Sequence, residues 1–382
     1  MASITLFPNL VWLLFLIYIL FLIFLFTGMF RLKSRKFINN LKASVIIPFR
    51  NEAEKLYRCV ESVLNQSLSK VRYEIILVDD HSTDDYENYI KHFIDQNMVR
   101  IIKLKSDSDG YGKKNAIEKG IQVANNEIIV TTDADCYHQK DWLKTMLESF
   151  DEKTGFVAGK VIYDGCKNFF EEIQKIEFAS LVSIGASFIG NKLPLIANGA
   201  SCAYRKDLFL KVGGFKDNSN LVSGDEEFLM QKIWMQSDYK IVFNRSVNST
   251  TITEPISRVT RFINQRKRWV SKVLHYKNFY AIPLLVLLYL FYLSLLILII
   301  SGLFDNKILE LSIIILSMKT FFDFFYMANA YRLLSLSESK RNLINLIFLF
   351  PVAEIAHIIY ITVVPVLSAL TGFDWKGRAY RR

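Results

Sequence analysis

The sequence has few cysteines, and none is spaced like a metal or redox motif. Its 382 residues contain four cysteines, and no two of them form a Cys-x-x-Cys pair. That absence leaves no sign of the thiol pairs that bind zinc or exchange disulfides. In a cytoplasmic domain we expect these thiols to be reduced and structural. They are Cys59, Cys136, Cys166 and Cys202.

The sequence also lacks the glycine-rich loops that bind phosphate groups through the backbone. A dinucleotide site needs glycines after the first strand of the sheet, and "PFRNE" at 48–52 has none. "GYGKKN" at 110–115 lacks the GxxxxGK[ST] spacing of a P-loop. A phosphorylated ligand would therefore be bound through a metal and charged side chains.

The N-terminal segment lacks charge. Residues 9–30 contain no charged side chain and are long enough to cross a bilayer. Nothing basic precedes them and no small-residue cleavage site follows, so we expect an N-terminal anchor at 1–30 instead of a signal peptide. The basic stretch 31–42 comes next, and the positive-inside rule places the following residues in the cytoplasm.

The C-terminal part, 281–371, is predicted to be a membrane region. Residues 281–304 form an uncharged candidate span, and 308–330 form a second. Lys319 and Asp323 are four residues apart in the second span, so we expect a local ion pair that faces protein or the interface.

The last apolar tract, 343–371, contains Pro351, Glu354, His357 and Pro365. We expect the prolines to break it into short helices that enter or lie along the membrane and return. Trp375–Arg382, in the basic tail 372–382, would then be cytoplasmic, as the positive-inside tendency favours. A complete crossing is the alternative.

The formal net charge is +10. Its basic residues cluster beside the apolar segments, at 31–42, 258–272 and 376–382. This position favours an anionic inner leaflet over nucleic acid as the partner. The sequence thus predicts a multi-pass protein of the cell (inner or plasma) membrane with a cytoplasmic domain at 43–255.

The cytoplasmic domain alternates apolar strands with helices, as in "ASVIIPF", "YEIILVD", "VRIIKLK" and "EIIV". Unbroken apolar strands of this kind predict an α/β fold with a mainly parallel sheet. Ligands bind beyond the carboxyl ends of such strands, where this chain has Pro48–Glu52, Asp79–Asp80 and Asp133–Asp135. In "TTDADC", Asp133 and Asp135 point the same way on an extended chain, and a divalent metal would offset their repulsion.

Eight motifs follow one another over roughly residues 43–275: "VIIPFRNE", "VDDHSTD", "GKKNAIEKG", "TTDADC", "NGASCAYRK", "GGF", "SGDEEFL" and "QRKRW". In this order they resemble family 2 glycosyltransferases. The resemblance extends to cellulose, chitin, hyaluronan and poly-N-acetylglucosamine synthases and to the ceramide glucosyltransferase group. It implies a GT-A fold and transfer of a sugar from a nucleotide diphosphate.

The resemblance implies roles for several residues. Asp133 and Asp135 would hold Mg²⁺ or Mn²⁺, with Asp135 the direct ligand. Asp79 and Asp80 would contact base and ribose, unless they only cap the next helix. The remaining residues of the nucleotide-sugar site would be Pro48, Arg50, Glu52, Lys113 and Asp133.

"SGDEEFL" would supply the catalytic base, because direct displacement needs one carboxylate to deprotonate the acceptor hydroxyl. The family pattern is commonly Glu-Asp, with the second residue as the base. This chain departs from it with Asp225, Glu226 and Glu227. Alignment on Leu229 places the base at Glu226, with Asp225 as the alternative. Acids at a helix start also suit the helix dipole, which would be a purely structural role.

"QRKRW" lies in the predicted amphipathic interfacial segment 256–280. Gln265, Arg268 and Trp269 match the family's QxxRW positions, where Trp stacks on the acceptor and Arg contacts the diphosphate. Arg and Trp are also ordinary interfacial anchors.

The leading hypothesis is an inverting, metal-dependent glycosyltransferase that acts on a lipid or saccharide acceptor at the cytoplasmic membrane face. A processive polysaccharide synthase is the main alternative, although the apolar segments are few for a channel. A nucleotidyltransferase would not explain QxxRW, and an inactive membrane scaffold would not need the acids at 79, 133 and 135.

Overall fold

The computed structural model describes residues 2–34, 36–105, 110–216, 224–375 and 378–380. The chain divides into two compact units. Residues 31–165 and 184–255 form one of them, called the sheet unit below. The other, called the helical unit, comprises residues 1–30, 166–183 and 256–382.

The helices of the described chain are α1 (Ala2–Arg31), α2 (Ala53–Leu64), α3 (Tyr86–Asp95), α4 (Lys113–Val123), α5 (Trp142–Glu148), α6 (Phe169–Gly190), α7 (Lys206–Lys211), α8 (Asp225–Gln236), α9 (Val259–Ser271), α10 (Ala281–Gly302), α11 (Asn306–Leu333) and α12 (Lys340–Leu370). The strands are β1 (Ala43–Phe49), β2 (Tyr73–Asp79), β3 (Arg100–Lys103), β4 (Ile128–Thr131), β5 (Tyr137–His138), β6 (Thr154–Ala158), β7 (Val161–Tyr163), β8 (Cys202–Arg205), β9 (Lys240–Phe243), β10 (Thr251–Thr253), β11 (Phe373–Trp375) and β12 (Arg378–Tyr380).

A seven-stranded sheet in the order β3-β2-β1-β4-β8-β6-β9 forms the centre of the sheet unit. β1 pairs in parallel with both β2 and β4, and β2 pairs in parallel with β3. β8 is antiparallel to its neighbours β4 and β6, whereas β6 and β9 are parallel. The prediction of a mainly parallel α/β sheet is therefore confirmed, and so are the strands and helices predicted between residues 43 and 131.

The parallel register brings several strand ends to one edge of the sheet. Phe49 pairs with Asp79, and Asp79 pairs with Lys103. β1 includes Pro48 and ends at Phe49. Proline has no backbone N–H to donate to a neighbouring strand. Pro48 is tolerated because β1 pairs with β4 only as far as Ile46, so no N–H donor is needed on that side of β1 at position 48.

Both faces of this sheet are covered, which explains its unbroken apolar strands. On one face, Val45 and Ile47 of β1 join a buried core with apolar residues of α2, α3 and α5. On the other face, Ile46 packs against Gly120 of α4, where an added Cβ would lie 2.7 Å from the Ile46 side chain.

A smaller sheet, in the order β5-β10-β7, was not predicted from the sequence. Its strands are only two or three residues long, so they show no periodicity. Buried His138 holds this region together. Its ring nitrogens lie 3.1 Å from Thr132 Oγ1 and 3.0 Å from Thr251 Oγ1, and its ring stacks on Trp142 at 3.7 Å.

Three described helices of the helical unit are long and apolar enough to cross a membrane: α1 from Phe7, α10 and α12. α12 is one continuous helix of 31 residues with Pro351 and Pro365 inside it. The expectation that these prolines break the tract into short helices is therefore wrong. Each proline removes only one backbone donor, and the other hydrogen bonds and the packing of the helix maintain it. The predicted second span lies in α11, which is not among the three, and its crossing stays a prediction.

Polar side chains meet inside the helical unit. Lys319 of α11 is fully buried, and its Nζ lies 2.7 Å from Asp323 Oδ2. The predicted ion pair facing protein is thus confirmed. The structure adds partners from other helices, because Lys319 also pairs with Glu354 of α12. Tyr18 of α1 donates to both carboxylate oxygens of Asp323, at 2.7 and 2.8 Å.

The units divide the predicted domain 43–255 differently from the sequence boundaries, since residues 166–183 belong to the helical unit. Polar contacts hold the start of α6 there. Arg341 Nη2 lies 3.1 Å from Glu172 Oε1, and the Gln174 amide donates to the Ile256 carbonyl at 2.8 Å. In the predicted basic tail, β11 and β12 form an antiparallel pair, while residues 376, 377, 381 and 382 lie outside the described residues.

Candidate active site

The turns after β1 and β2 are tied together by short polar side chains. Asn51 adopts a left-handed backbone conformation, with φ of 53°. Its N–H donates to Ser82 Oγ at 3.1 Å, and its Oδ1 accepts from the Thr83 N–H at 2.7 Å. Asp84 Oδ2 accepts from the Ala53 N–H at 2.9 Å, at the start of α2. These bonds fix the turn that contains the predicted nucleotide-binding residues.

That turn presents the three residues predicted from "PFRNE". Pro48 is buried within β1, and Arg50 and Glu52 follow it as half-buried side chains. The Glu52 carboxylate lies 4.0 Å from Lys55 Nζ on the first turn of α2. The three residues stand at the carboxyl end of β1, as predicted.

Asp79 and Asp80 are both buried at the end of β2. Asp79 Oδ1 accepts from the Ser82 N–H at 2.7 Å, in the turn that precedes α3, and the N-cap of α3 is Asp85. Asp80 Oδ1 accepts from the Gly112 N–H at 3.1 Å and lies 3.0 Å from His81 Nδ1. Asp80 therefore links the end of β2 to the turn that precedes Lys113.

The two acids of "TTDADC" lie just after β4. Ala134 between them is buried, whereas Asp133 is partly exposed and Asp135 is exposed. Lys113, the first residue of α4, places its Nζ 2.7 Å from Asp133 Oδ1. Cys59 and Cys136 are buried and form no disulfide, and Cys136 Sγ lies 3.7 Å from Asp135 Oδ1. The extended chain expected for these two acids is wrong, because they lie in a turn in which the Cys136 N–H donates to the Asp133 carbonyl at 3.1 Å.

All three acids of "SGDEEFL" lie in the first turn of α8 and are buried. Glu226 Oε1 is 3.6 Å from Lys113 Nζ, the same ammonium group that contacts Asp133. Asp225 Oδ1 instead lies 3.5 Å from Lys114 Nζ. The two candidate bases thus belong to different ion pairs, and Glu226 is the one connected to the strand-end acids through Lys113.

Burial controls the protonation of this cluster. Burial raises the pKa of Glu226 to about 7, and the negative charges of Asp225 and Asp133 raise it while Lys113 lowers it. Burial opposes the charged form of Lys113, but Asp133, Glu226 and Asp225 together raise its pKa above the ordinary value. For Lys114, burial outweighs the neighbouring acids and lowers the pKa. Glu226 is therefore suited to exchange a proton near neutral pH.

Gly199 lies directly against Glu226. A Cβ placed on Gly199 would be 2.1 Å from Glu226 Oε2 and 2.6 Å from its Cδ. Tyr204 of the following strand is fully buried, and the charge of Glu226 contributes to its raised pKa after burial itself. The segment "NGASCAYRK" therefore forms one wall around the candidate base.

Gln265, Arg268 and Trp269 lie on α9 of the helical unit, whereas the other predicted site residues lie in the sheet unit. Lys267 and Arg266 are the buried residues of α9, and Arg266 is fully buried. It pairs with Glu177 of α6, with Nε 3.1 Å from Oε1. Its guanidinium group donates to Gln265 Oε1 and lies 4.2 Å from the centre of the Trp269 ring.

Some residues of these sites were missed by sequence reasoning. Arg266 follows Phe262 by four residues and precedes Trp269 by three, so all three share one helical face. The Arg266 guanidinium lies over both rings, at 4.4 Å for Phe262. That spacing of two aromatics around an arginine is a signal the sequence offered. Gly199 lies in the motif "NGASCAYRK", but no local pattern pairs it with Glu226, which is 27 residues away in the chain.

The cluster fits the divalent cation that the family resemblance implies. No group of three or more His, Cys, Asp or Glu side chains suited to a metal occurs among the described residues. Magnesium is often held by one or two carboxylates and completed by substrate phosphates and water. Asp133 and Asp135 supply hard oxygen ligands of that kind, and both are accessible to solvent.

Residues 44–213 match the sequence model of Glycosyl transferase family 2. A dolichyl N-acetyl-alpha-D-glucosaminyl phosphate 3-beta-D-2,3-diacetamido-2,3-dideoxy-beta-D-glucuronosyltransferase of Methanococcus voltae is 27% identical over 58% of this chain and 70% of its own length. A glucosyl-dolichyl phosphate glucuronosyltransferase of Haloferax volcanii is 24% identical over 50% of this chain and 62% of its own length.

Among solved structures, the mannosyltransferase PcManGT from Pyrobaculum calidifontis, in complex with GDP-Man and Mn²⁺, resembles the chain with a TM-score of 0.52. The sequences are 16% identical, and the match covers 94% of this chain and 98% of that one. This likeness concerns the fold, and it confirms the predicted GT-A-like α/β architecture.

Proposed function

Since residues 44–213 match the sequence model of Glycosyl transferase family 2, we propose that the protein transfers a sugar from a nucleotide diphosphate donor to a lipid-linked or glycan acceptor, with inversion. One observation supports this most directly. Lys113 contacts both Asp133, at 2.7 Å, and Glu226, at 3.6 Å. A predicted donor-side acid and the predicted base therefore lie within reach of one cationic side chain.

On the donor side, the buried Asp79 and Asp80 would accept hydrogen bonds from the base and ribose. Arg50 would lie against the base, and Pro48 and Glu52 would shape the turn around it. These roles come from the family resemblance, and the hydrogen-bonded turns after β1 and β2 support them by fixing the backbone. A binding site held in place beforehand loses less conformational freedom when the ligand binds.

Asp133 and Asp135 would hold a divalent cation. When bound, such an ion would stabilise the negative charge that develops on the leaving nucleoside diphosphate. Lys113 would donate to the same phosphates or to a donor hydroxyl, and its raised pKa keeps it charged at neutral pH.

On the acceptor side, Glu226 would act as the general base. The acceptor hydroxyl oxygen forms a bond to the anomeric carbon while the bond from that carbon to the diphosphate oxygen breaks. The hydroxyl proton passes to Glu226, and the electron pair of the broken bond leaves with the nucleoside diphosphate. A base with a pKa of about 7 is well matched to this task near neutral pH.

A membrane-associated acceptor is favoured over a growing polymer. Two relatives are named for dolichyl phosphate-linked substrates, and three described helices are apolar enough to cross a membrane. We place the sheet unit in the cytoplasm, because the basic stretch 31–42 follows α1. Gln265, Arg268 and Trp269 would contact acceptor and diphosphate, a role that rests on the family resemblance.

The proposal is tested by incubating the purified full chain with a panel of nucleotide sugars and Mn²⁺ or Mg²⁺. Lipid-linked sugars and soluble oligosaccharides serve as acceptors. Release of nucleoside diphosphate and transfer of the sugar are measured together. We expect acceptor-stimulated release that needs the metal. Release of sugar 1-phosphate instead, with transfer of the nucleotidyl group, would indicate a nucleotidyltransferase, and turnover of no donor in the panel would contradict the proposal.

A further inference from the structure

The carboxylate of Glu226 is confined on two sides. Its Oε1 lies 3.6 Å from Lys113 Nζ. Its Oε2 lies against Gly199, where a Cβ would approach to 2.1 Å. Only 3% of the residue is exposed, so little open space remains into which the carboxylate could move.

The backbone around Gly199 is also fixed. Asn198 Oδ1 accepts from the Ala200 N–H at 3.0 Å, and the Asn198 carbonyl accepts from the Ser201 N–H at 3.1 Å. The chain then enters β8, whose first residue, Cys202, pairs with both β4 and β6. The Ser201 carbonyl also accepts from the Gly159 N–H at 2.7 Å.

The main chain of Glu226 is equally restrained, because it lies in the first turn of α8. Both α8 neighbours of Glu226 are buried as well, at 4% exposure for Asp225 and 2% for Glu227. A group added at position 199 must therefore displace the Glu226 side chain, since neither main chain is free to move.

We propose that Gly199 is a positioning residue for the catalytic base. The missing side chain at position 199 leaves the space in which the Glu226 carboxylate lies, opposite Lys113. The inference rests on the proposed function, in which Glu226 accepts the acceptor proton. A glycine is needed at position 199 because the base is a glutamate, and the glutamate side chain is long enough to reach the 198–201 turn.

This proposal predicts that two substitutions compensate for each other. G199A should push the carboxylate away from its position. E226D should shorten the side chain and withdraw the carboxylate from the turn, which leaves room for a methyl group at 199. A displacement of about 1 Å at a catalytic group can cost on the order of a hundredfold in rate.

The experiment measures kcat, donor KM and melting temperature for the wild type, G199A, E226D and the double variant. We expect G199A to lower kcat at least about tenfold, with donor KM within about twofold. We express each kcat relative to wild type. We expect the relative kcat of the double variant to exceed, by about tenfold or more, the product of the relative kcat values of G199A and E226D. Should G199A fail to fold, recovery of folded protein by E226D would equally support the proposal.

Gly155 of β6 provides a matched control. A Cβ there would lie 2.7 Å from the Leu208 and Tyr239 side chains, in the same unit. G155A should lower the melting temperature but leave kcat within about twofold of wild type. An equal kcat loss in G155A, or losses in G199A and E226D that simply multiply, would overturn the role of Gly199.

E226Q separates this inference from the proposed function. If E226Q is inactive and the kcat losses of G199A and E226D simply multiply in the double variant, the role of Gly199 is refuted. Glu226 would then still be the base. Wild-type kcat in E226Q would instead refute Glu226 as the base, and the role of Gly199 would be refuted with it.

Discussion

Replacing Lys319 by methionine should strongly destabilise the helical unit. Lys319 is fully buried, and its Nζ lies 2.7 Å from Asp323 Oδ2 and pairs with Glu354 as well. The ammonium group is also 5.5 Å from the centre of the Tyr18 ring and 5.1 Å from that of Tyr292. One side chain thereby contacts groups on α1, α10, α11 and α12. Methionine keeps much of the length of lysine and removes only the charge and the hydrogen bonds.

The magnitude follows from what the substitution leaves behind. Removing one member of a buried ion pair costs about 3–5 kcal/mol, because the remaining charge is uncompensated. Here two carboxylates would remain, those of Asp323 and Glu354, both of them buried. By contrast, a single hydrogen bond between membrane helices averages about 0.6 kcal/mol. We therefore expect K319M to cost at least about 3 kcal/mol, and Y18F, which removes the donor to Asp323, to cost about 1 kcal/mol.

The assay is thermal unfolding of the full chain in detergent. K307M, at an exposed lysine near the start of the same helix, is the matched control and should melt like wild type. The triple variant K319M/D323N/E354Q removes the charges together and should recover most of the loss. If K319M has the melting temperature of the wild type, the buried ion pairs of Lys319 do not stabilise the helical unit. The same conclusion follows if the triple variant is no more stable than K319M.

Four further predictions concern activity and topology. D135A should abolish transfer but leave the protein folded, because an exposed acid at a strand end makes few packing contacts. EDTA should abolish transfer by the wild type. Transfer by D135A, or by the wild type in EDTA, would refute the metal role. E226Q should bind donor yet lose the chemical step; if only D225N does so, the base is Asp225. Because Glu226 must be ionised to accept a proton and its pKa is about 7, kcat/KM should be about tenfold lower at pH 6 than at pH 8. The basic residues of the tail favour the cytoplasmic side of the membrane, so a cysteine at position 382 should resist an impermeant thiol reagent in intact cells; efficient labelling would mean that the tail lies outside.

Much of the sheet unit was determined by the sequence itself. Unbroken apolar strands such as 43–49 and 73–79 must be buried on both faces, and that requires helices between parallel strands. Because parallel strands end at a common edge, the acids after β1, β2 and β4 had to lie near that edge. Lys319 and Asp323 were predictable for a similar reason, since residues four apart in a helix share a face.

Only the tertiary structure decided which partners meet across the chain. Lys113 contacts both Asp133 and Glu226, and Gly199 lies against Glu226, because strands and helices far apart in sequence pack together. The continuity of α12 through Pro351 is likewise a result of packing, which local propensity does not contain. Local patterns record the period and burial of one element at a time. The contacts between elements depend on how side chains fill the space between them, and that is fixed only when the chain has folded.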